Sequence, residues 1–119
     1  MRRARPPVAP PGVRLRRPVH PGCFLDRHYL RPLALSQSEA ARRLGVSRRR
    51  LHELVHGARR MSPDTALRCA ELFGLAASHW LALQSDWDNW QAWQDMQARP
   101  TGPSRHGRLP QPLTLADAR

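Results

Sequence analysis

Ser36-Gln37-Ser38-Glu39-Ala40-Ala41-Arg42-Arg43-Leu44-Gly45-Val46-Ser47-Arg48-Arg49-Arg50-Leu51-His52-Glu53-Leu54-Val55-His56-Gly57 reads as two short helices joined by a tight turn. Ser36 is placed to cap the first, with Glu39 three residues on completing a capping box. Ala40, Ala41 and Leu44 give that helix its apolar side, and Gly45 can take the positive φ of a helix end. Val46 turns inward, Ser47 caps a second helix and Gly57 stops it. Helix, glycine-containing turn and helix within about twenty residues is the pattern of a helix-turn-helix.

At about 100° per residue, Leu51, Leu54 and Val55 share one side of the second helix. Arg49, His52, Glu53 and His56 fall opposite, with Arg48 and Arg50 on the flanks. Three successive arginines therefore occupy the first turn, where the helix dipole disfavours cations. Something other than helix stability must favour them there. The N-terminal end of the second helix of such a motif enters the DNA major groove. Arginine in that position pairs with guanine or holds phosphates. The expected DNA-binding set is Gln37, Ser47, Arg48, Arg49, Arg50, His52, Glu53, His56, Arg59 and Arg60. The competing reading is a solvated basic face on an ordinary helical bundle.

The chain has 119 residues and a formal charge of +11, all of its basic side chains other than histidine being arginine. One small domain with extensions is expected, and a polyanionic partner, nucleic acid first. Arginine in place of lysine could also reflect genome base composition. Cys23 and Cys69 lie far apart with no Cys-x-x-Cys pair, which suggests neither a zinc site nor a disulfide framework. His20-x-x-Cys23 and the His52/His56 pair are the only fragments of ligand spacing, and both lack further ligands. No cofactor, no metal and a reducing, cytoplasmic setting are expected. No secretory signal and no span long enough for a membrane are visible. No Ser/His/Asp set, paired carboxylate site or glycine-rich phosphate loop suggests an enzyme.

Residues 1–18 carry six arginines, five prolines and no acid, and read as a disordered basic arm. The domain spans 19–97. His20-Pro21-Gly22 opens a first helix, with Phe24, Leu25 and Tyr29 inward, which ends near Arg31 because Pro32 follows. Leu33 and Leu35 are expected to pack the connection. Ser62-Pro63-Asp64 starts a fourth helix carrying Ala66, Cys69, Ala70 and Phe73, ended by Gly74. A last helix runs from about Ala77 to Met96 and holds all four tryptophans and the acids Asp86, Asp88 and Asp95. Trp80 and Trp87 are expected partly in the core; Trp87, Trp90 and Trp93 are candidates for a dimer or partner interface. Residues 98–119 read as a disordered tail.

From His20 to about Gln94 the chain resembles the HigA family of antitoxins, within the phage-repressor-like (XRE) helix-turn-helix class. The resemblance is carried by His20-Pro21-Gly22, Leu33-Ala34-Leu35-Ser36-Gln37, Leu44-Gly45-Val46-Ser47-Arg48-Arg49-Arg50, Gly57, Asp64-Thr65-Ala66-Leu67-Arg68 and Phe73-Gly74 with Trp80-Leu81-Ala82-Leu83-Gln84. It implies an all-α, five-helix domain that dimerises, binds a palindromic operator in double-stranded DNA and represses its own operon. It also implies a protein partner, a RelE-like toxin of the HigB type. By position, Gln37 matches a phosphate contact, Arg48, Arg49 and Glu53 match base-reading residues, and Arg50 and His56 match backbone contacts. Cys23 stands where the family usually has an acid, and Ala76-Ala77 where it often has Ser or Thr with Pro. The same helices would serve a stand-alone XRE-type regulator without a toxin, or an interaction protein that no longer binds DNA.

Overall fold

The computed structural model describes residues 8–99 and 113–115. Among them the chain forms five helices and no strand. Helix α1 spans Pro21–Leu25 and continues without a break into a wider π-helical turn, Asp26–Leu30. Then come α2 (Gln37–Leu44), α3 (Arg48–Val55), α4 (Pro63–Phe73) and α5 (Ala77–Ala98).

Local chemistry sets most of the boundaries. Ser36, Ser47 and Ser62 each accept the backbone N–H three residues on through their hydroxyl oxygen, at 3.1, 3.0 and 3.3 Å. Only half of the capping box expected at α2 forms. The Glu39 carboxylate turns to Arg42 and Arg43 instead of the Ser36 N–H, because two guanidiniums outbid one amide. Those partners hold the Glu39 carboxyl at about 2. α5 starts at Ala77 with no side-chain cap and extends slightly past the expected end at Met96.

The core is a single cluster: Leu25 and Leu30 from the first helix, Ala40, Ala41 and Leu44 from α2, Leu51, Leu54 and Val55 from α3. Met61, Ala66, Cys69 and Trp80 complete it. Burial pushes the Cys69 thiol up to about 12, as for an inert packing residue. Phe24 and Tyr29 flank the Trp80 indole with ring centroids 5.5 and 5.6 Å away. Leu35 packs on this cluster as expected, whereas Leu33 is exposed.

Two close approaches fix how the motif sits in the domain. Gly22 lies so near α3 that a Cβ there would fall 1.6 Å from the Leu54 carbonyl oxygen. At the corner of the motif Gly45 adopts φ +73°, and Arg68 of α4 donates from Nη1 to the carbonyls of Leu44 (3.1 Å) and Gly45 (3.3 Å). Arg68 thus satisfies the open end of α2 from a different helix.

Val8–Pro18, within the segment read as a disordered arm, form no regular element, and Val13–Pro18 lie beside α5. Arg14 pairs with Asp86 at 3.1 Å, and the Arg17 guanidinium stands 5.1 Å from the Trp87 ring centroid. Met1–Pro7 and most of the expected tail, residues 100–112 and 116–119, lie outside the described residues. No helix among the described residues is long and apolar enough to cross a membrane.

Candidate nucleic-acid interface

Helix α3 presents a polar face because its other face is fully used. Leu51, Leu54 and Val55 are buried where α3 packs against α1 and α2, which leaves Arg48, Arg49, His52 and His56 exposed on the outer side. Arg48 has no partner among the described residues. Arg49 is 88% exposed and donates from Nε to Glu53 Oε1 at 2.9 Å. Glu53 also accepts from Arg59 Nε, in the loop after α3, at 3.1 Å. These two arginines, Arg49 first, hold the Glu53 carboxyl below the usual carboxylate range.

The histidines continue the same surface toward α2. His52 Nδ1 lies 3.1 Å from Gln37 Oε1, linking the first residue of α2 to α3. His56 Nδ1 lies 2.8 Å from the His52 carbonyl. A carbonyl can only accept, so that nitrogen carries the proton and Nε2 faces outward. The two imidazoles approach to 4.1 Å between centroids. Gln37, Arg48, Arg49, His52, Glu53, His56 and Arg59 therefore come together on one side of the motif.

Three of the expected site residues are placed differently. Arg50 turns away from this surface: it pairs with Asp64 at 2.8 Å and donates to the hydroxyls of Ser62 and Thr65 at the start of α4. Asp64 is shared with Arg68, and both guanidiniums hold its carboxyl low. The flank position of Arg50 on α3 points its long side chain at the acidic first turn of α4, which outcompetes solvent. Arg60 reaches in the other direction, to Asp88 of α5 at 2.6 Å. The Ser47 hydroxyl is engaged as the α3 cap.

The tryptophan surface is likewise narrower than expected. Trp93 is 6% exposed and is not an open interface residue. It lies roughly 140° around the helix from Trp80 and is buried outside the main core cluster. Trp87 is half-buried between the His20 ring, edge-on at 5.2 Å, and Arg17. Trp90 is half-buried beside Trp87.

Sequence reasoning missed the residues that brace the surface from behind. His20 caps α1, its Nδ1 accepting from Gly22 N–H at 3.0 Å; burial lowers its pKa, partly offset by Asp88. Proline at the first helical position was the available sign of a cap at residue 20. Buried Gln84 accepts from the Met61 N–H at 2.7 Å and donates to Asp88 at 2.8 Å, tying the loop after α3 to α5. Its glutamine, in a tryptophan-rich helix, gave no local signal of that role. Cys23 directs its thiol to the Val55 carbonyl at 3.5 Å. No group of three potential metal-ligating side chains occurs among the described residues.

Residues 1–80 match the family model for a helix-turn-helix domain. Virulence-associated protein I of Dichelobacter nodosus is 41% identical over 80 residues, covering 67% of this chain and 74% of that protein. The HTH-type transcriptional regulator YbaQ of Escherichia coli K12 is 33% identical over 84 residues, 71% of this chain and 74% of that one. The structure of the antitoxin HigA of Pseudomonas aeruginosa with the higBA promoter superposes with a TM-score of 0.66 at 32% identity, over 68% of this chain and 88% of that chain.

Proposed function

Since the chain belongs to the XRE-type helix-turn-helix domain family, we propose that it is a sequence-specific DNA-binding regulator acting as the antitoxin of a toxin-antitoxin pair. The observation that carries this reading is the outer face of α3. Arg48 and Arg49 project from its first turn, with Gln37, His52, His56 and Arg59 around them and leucines behind. The likeness to a HigA antitoxin studied with its promoter supports the same assignment.

In this reading the protein works as a homodimer in the cytoplasm. Two copies of α3 sit one DNA turn apart, ~34 Å, on an inverted repeat upstream of the protein's own gene. Gln37 and His56 hold phosphates, Arg48 and Arg49 reach bases, and a RelE-like toxin of the HigB type is the protein partner. A gel shift and footprint on the upstream DNA, repeated across salt concentrations, test the DNA half. Expected are a protected inverted repeat and an affinity that falls steeply with salt; no protected sequence at any salt would refute it.

The second reading is a stand-alone regulator, in keeping with the similarity to the HTH-type transcriptional regulator YbaQ. The two separate on copurification with the product of the adjacent reading frame. A stable complex supports the antitoxin, and its absence supports the stand-alone regulator.

A further inference from the structure

Both oxygens of the Glu53 carboxylate are occupied by arginines that come from different parts of the chain. Oε1 accepts from Arg49 Nε at 2.9 Å. Oε2 accepts from Arg59 Nε at 3.1 Å, and a terminal nitrogen of the same guanidinium stands 3.0 Å from it as an ion pair. Arg49 is one turn before Glu53 on α3, whereas Arg59 follows the helix. The glutamate side chain is 27% exposed against 88% for Arg49, so the arginine stands farther out.

This arrangement does not suit a glutamate that reads bases. To accept from a cytosine amino group, the carboxylate would have to release one of two charge-assisted partners. It suits Arg49 well. Only Nε is engaged, so Nη1 and Nη2, the pair of donors that matches O6 and N7 of guanine, have no hydrogen-bond partner among the described residues. Arg59 is gripped along its side and keeps a single outward nitrogen, which suits a phosphate.

Resting on the DNA-binding reading above, we propose that Glu53 is a positioning residue. It fixes the Arg49 guanidinium for a guanine and Arg59 for a neighbouring phosphate, and touches no base itself. A residue held by fixed partners loses less rotamer freedom on binding, which is how a supporting carboxylate sharpens sequence preference.

The test is selection from a library of randomised duplexes by the full chain and by Arg49→Ala, Glu53→Ala, Glu53→Gln and the Arg49→Ala/Glu53→Ala double variant. Arg49→Ala should erase one guanine preference per half-site, on the order of ten- to a hundredfold. Glu53→Ala should weaken that same preference by roughly two- to fivefold, because surface ion pairs are individually small. The double variant should match Arg49→Ala, and Glu53→Gln, which keeps the volume, should fall between the parent and Glu53→Ala. A change at a base pair that Arg49→Ala leaves intact would overturn the proposal, because Glu53 would then be a reader. So would a loss that is uniform across all sequences and leaves the guanine preference intact, or no change at all. Failure of the parent chain to enrich any sequence would instead remove the DNA-binding reading on which the proposal stands.

Discussion

Arg50 on α3 and Asp64 on α4 meet at 2.8 Å, so the third of three successive arginines faces the domain while the first two face out. The pair joins the first turns of two helices, and Asp64 gains a second guanidinium from Arg68. Arg68 also closes the carbonyl end of α2. A single acid thus links α2, α3 and α4 at the edge of the motif. Cations at the head of α3 are unfavourable for its dipole, and here one of them is compensated by the neighbouring helix.

Arg50→Ala should therefore act on stability before recognition. It removes one of the two guanidiniums on Asp64 and the charged donor to the buried Thr65 hydroxyl, which keeps only the Ser62 hydroxyl. The midpoint of thermal unfolding should fall by a few degrees, while the base preferences of the folded fraction keep their pattern. A variant with unchanged Tm and altered preferences would mean that Arg50 swings out to DNA.

Arg48→Ala should do the opposite. The side chain has no partner among the described residues, so stability should stay within about 0.5 kcal/mol of the parent. Operator binding should weaken by ~1–3 kcal/mol if the contact is to a base. If the contact is to a phosphate, the loss should be equal for all sequences, and the slope of log affinity against log salt should drop by about 1. Fluorescence anisotropy at several salt concentrations reads both quantities.

Gly22→Ala should be severely destabilising. The added methyl would sit 1.6 Å from the Leu54 carbonyl oxygen, and a backbone atom cannot move aside as a side chain tip can. A cost of about 3 kcal/mol or more is expected, a large part of the total for a domain of this size. Urea unfolding monitored by circular dichroism measures it, and a loss under 1 kcal/mol would show that α1 can slide off α3 freely.

Stability should decline on mild acidification through His20. Its folded pKa lies below 6.5, so between the two values the unfolded chain binds more protons than the folded one. The contribution is complete above the unfolded value and is lost as pH falls through the folded one. Protonation would also place a hydrogen on Nδ1, which has to accept from the Gly22 N–H. Melting between pH 7.5 and 5.5 should show a falling Tm. His20→Asn, which keeps a cap acceptor, should flatten that dependence; an equally steep curve in the variant would assign the effect elsewhere.

The parts of the fold that could be read from the chain are those decided within one turn of the residue concerned. Ser36, Ser47 and Ser62 cap helices through contacts three residues away, and Gly45 and Gly74 end them through their own φ. The spacing of Leu51, Leu54 and Val55 likewise identifies the inner side of α3, and hence its outer one. What could not be read is where long side chains go once several partners compete. Glu39 abandons the capping box for two arginines, Arg60 crosses to Asp88, and Trp93 is covered although its helical position lies away from the core.

Sequence alone determined that this protein is a set of short helices around a glycine-cornered pair with arginines at the head of the second. Capping, φ preference and apolar periodicity are properties of neighbouring residues, and they need no knowledge of the remainder of the chain. Only the tertiary structure decided which arginines are available, since α4 and α5 bring Asp64 and Asp88 to residues 14 and 28 positions away. An arginine is long enough to satisfy either solvent or a distant acid, so its direction is set by packing of helices rather than by its place in the sequence.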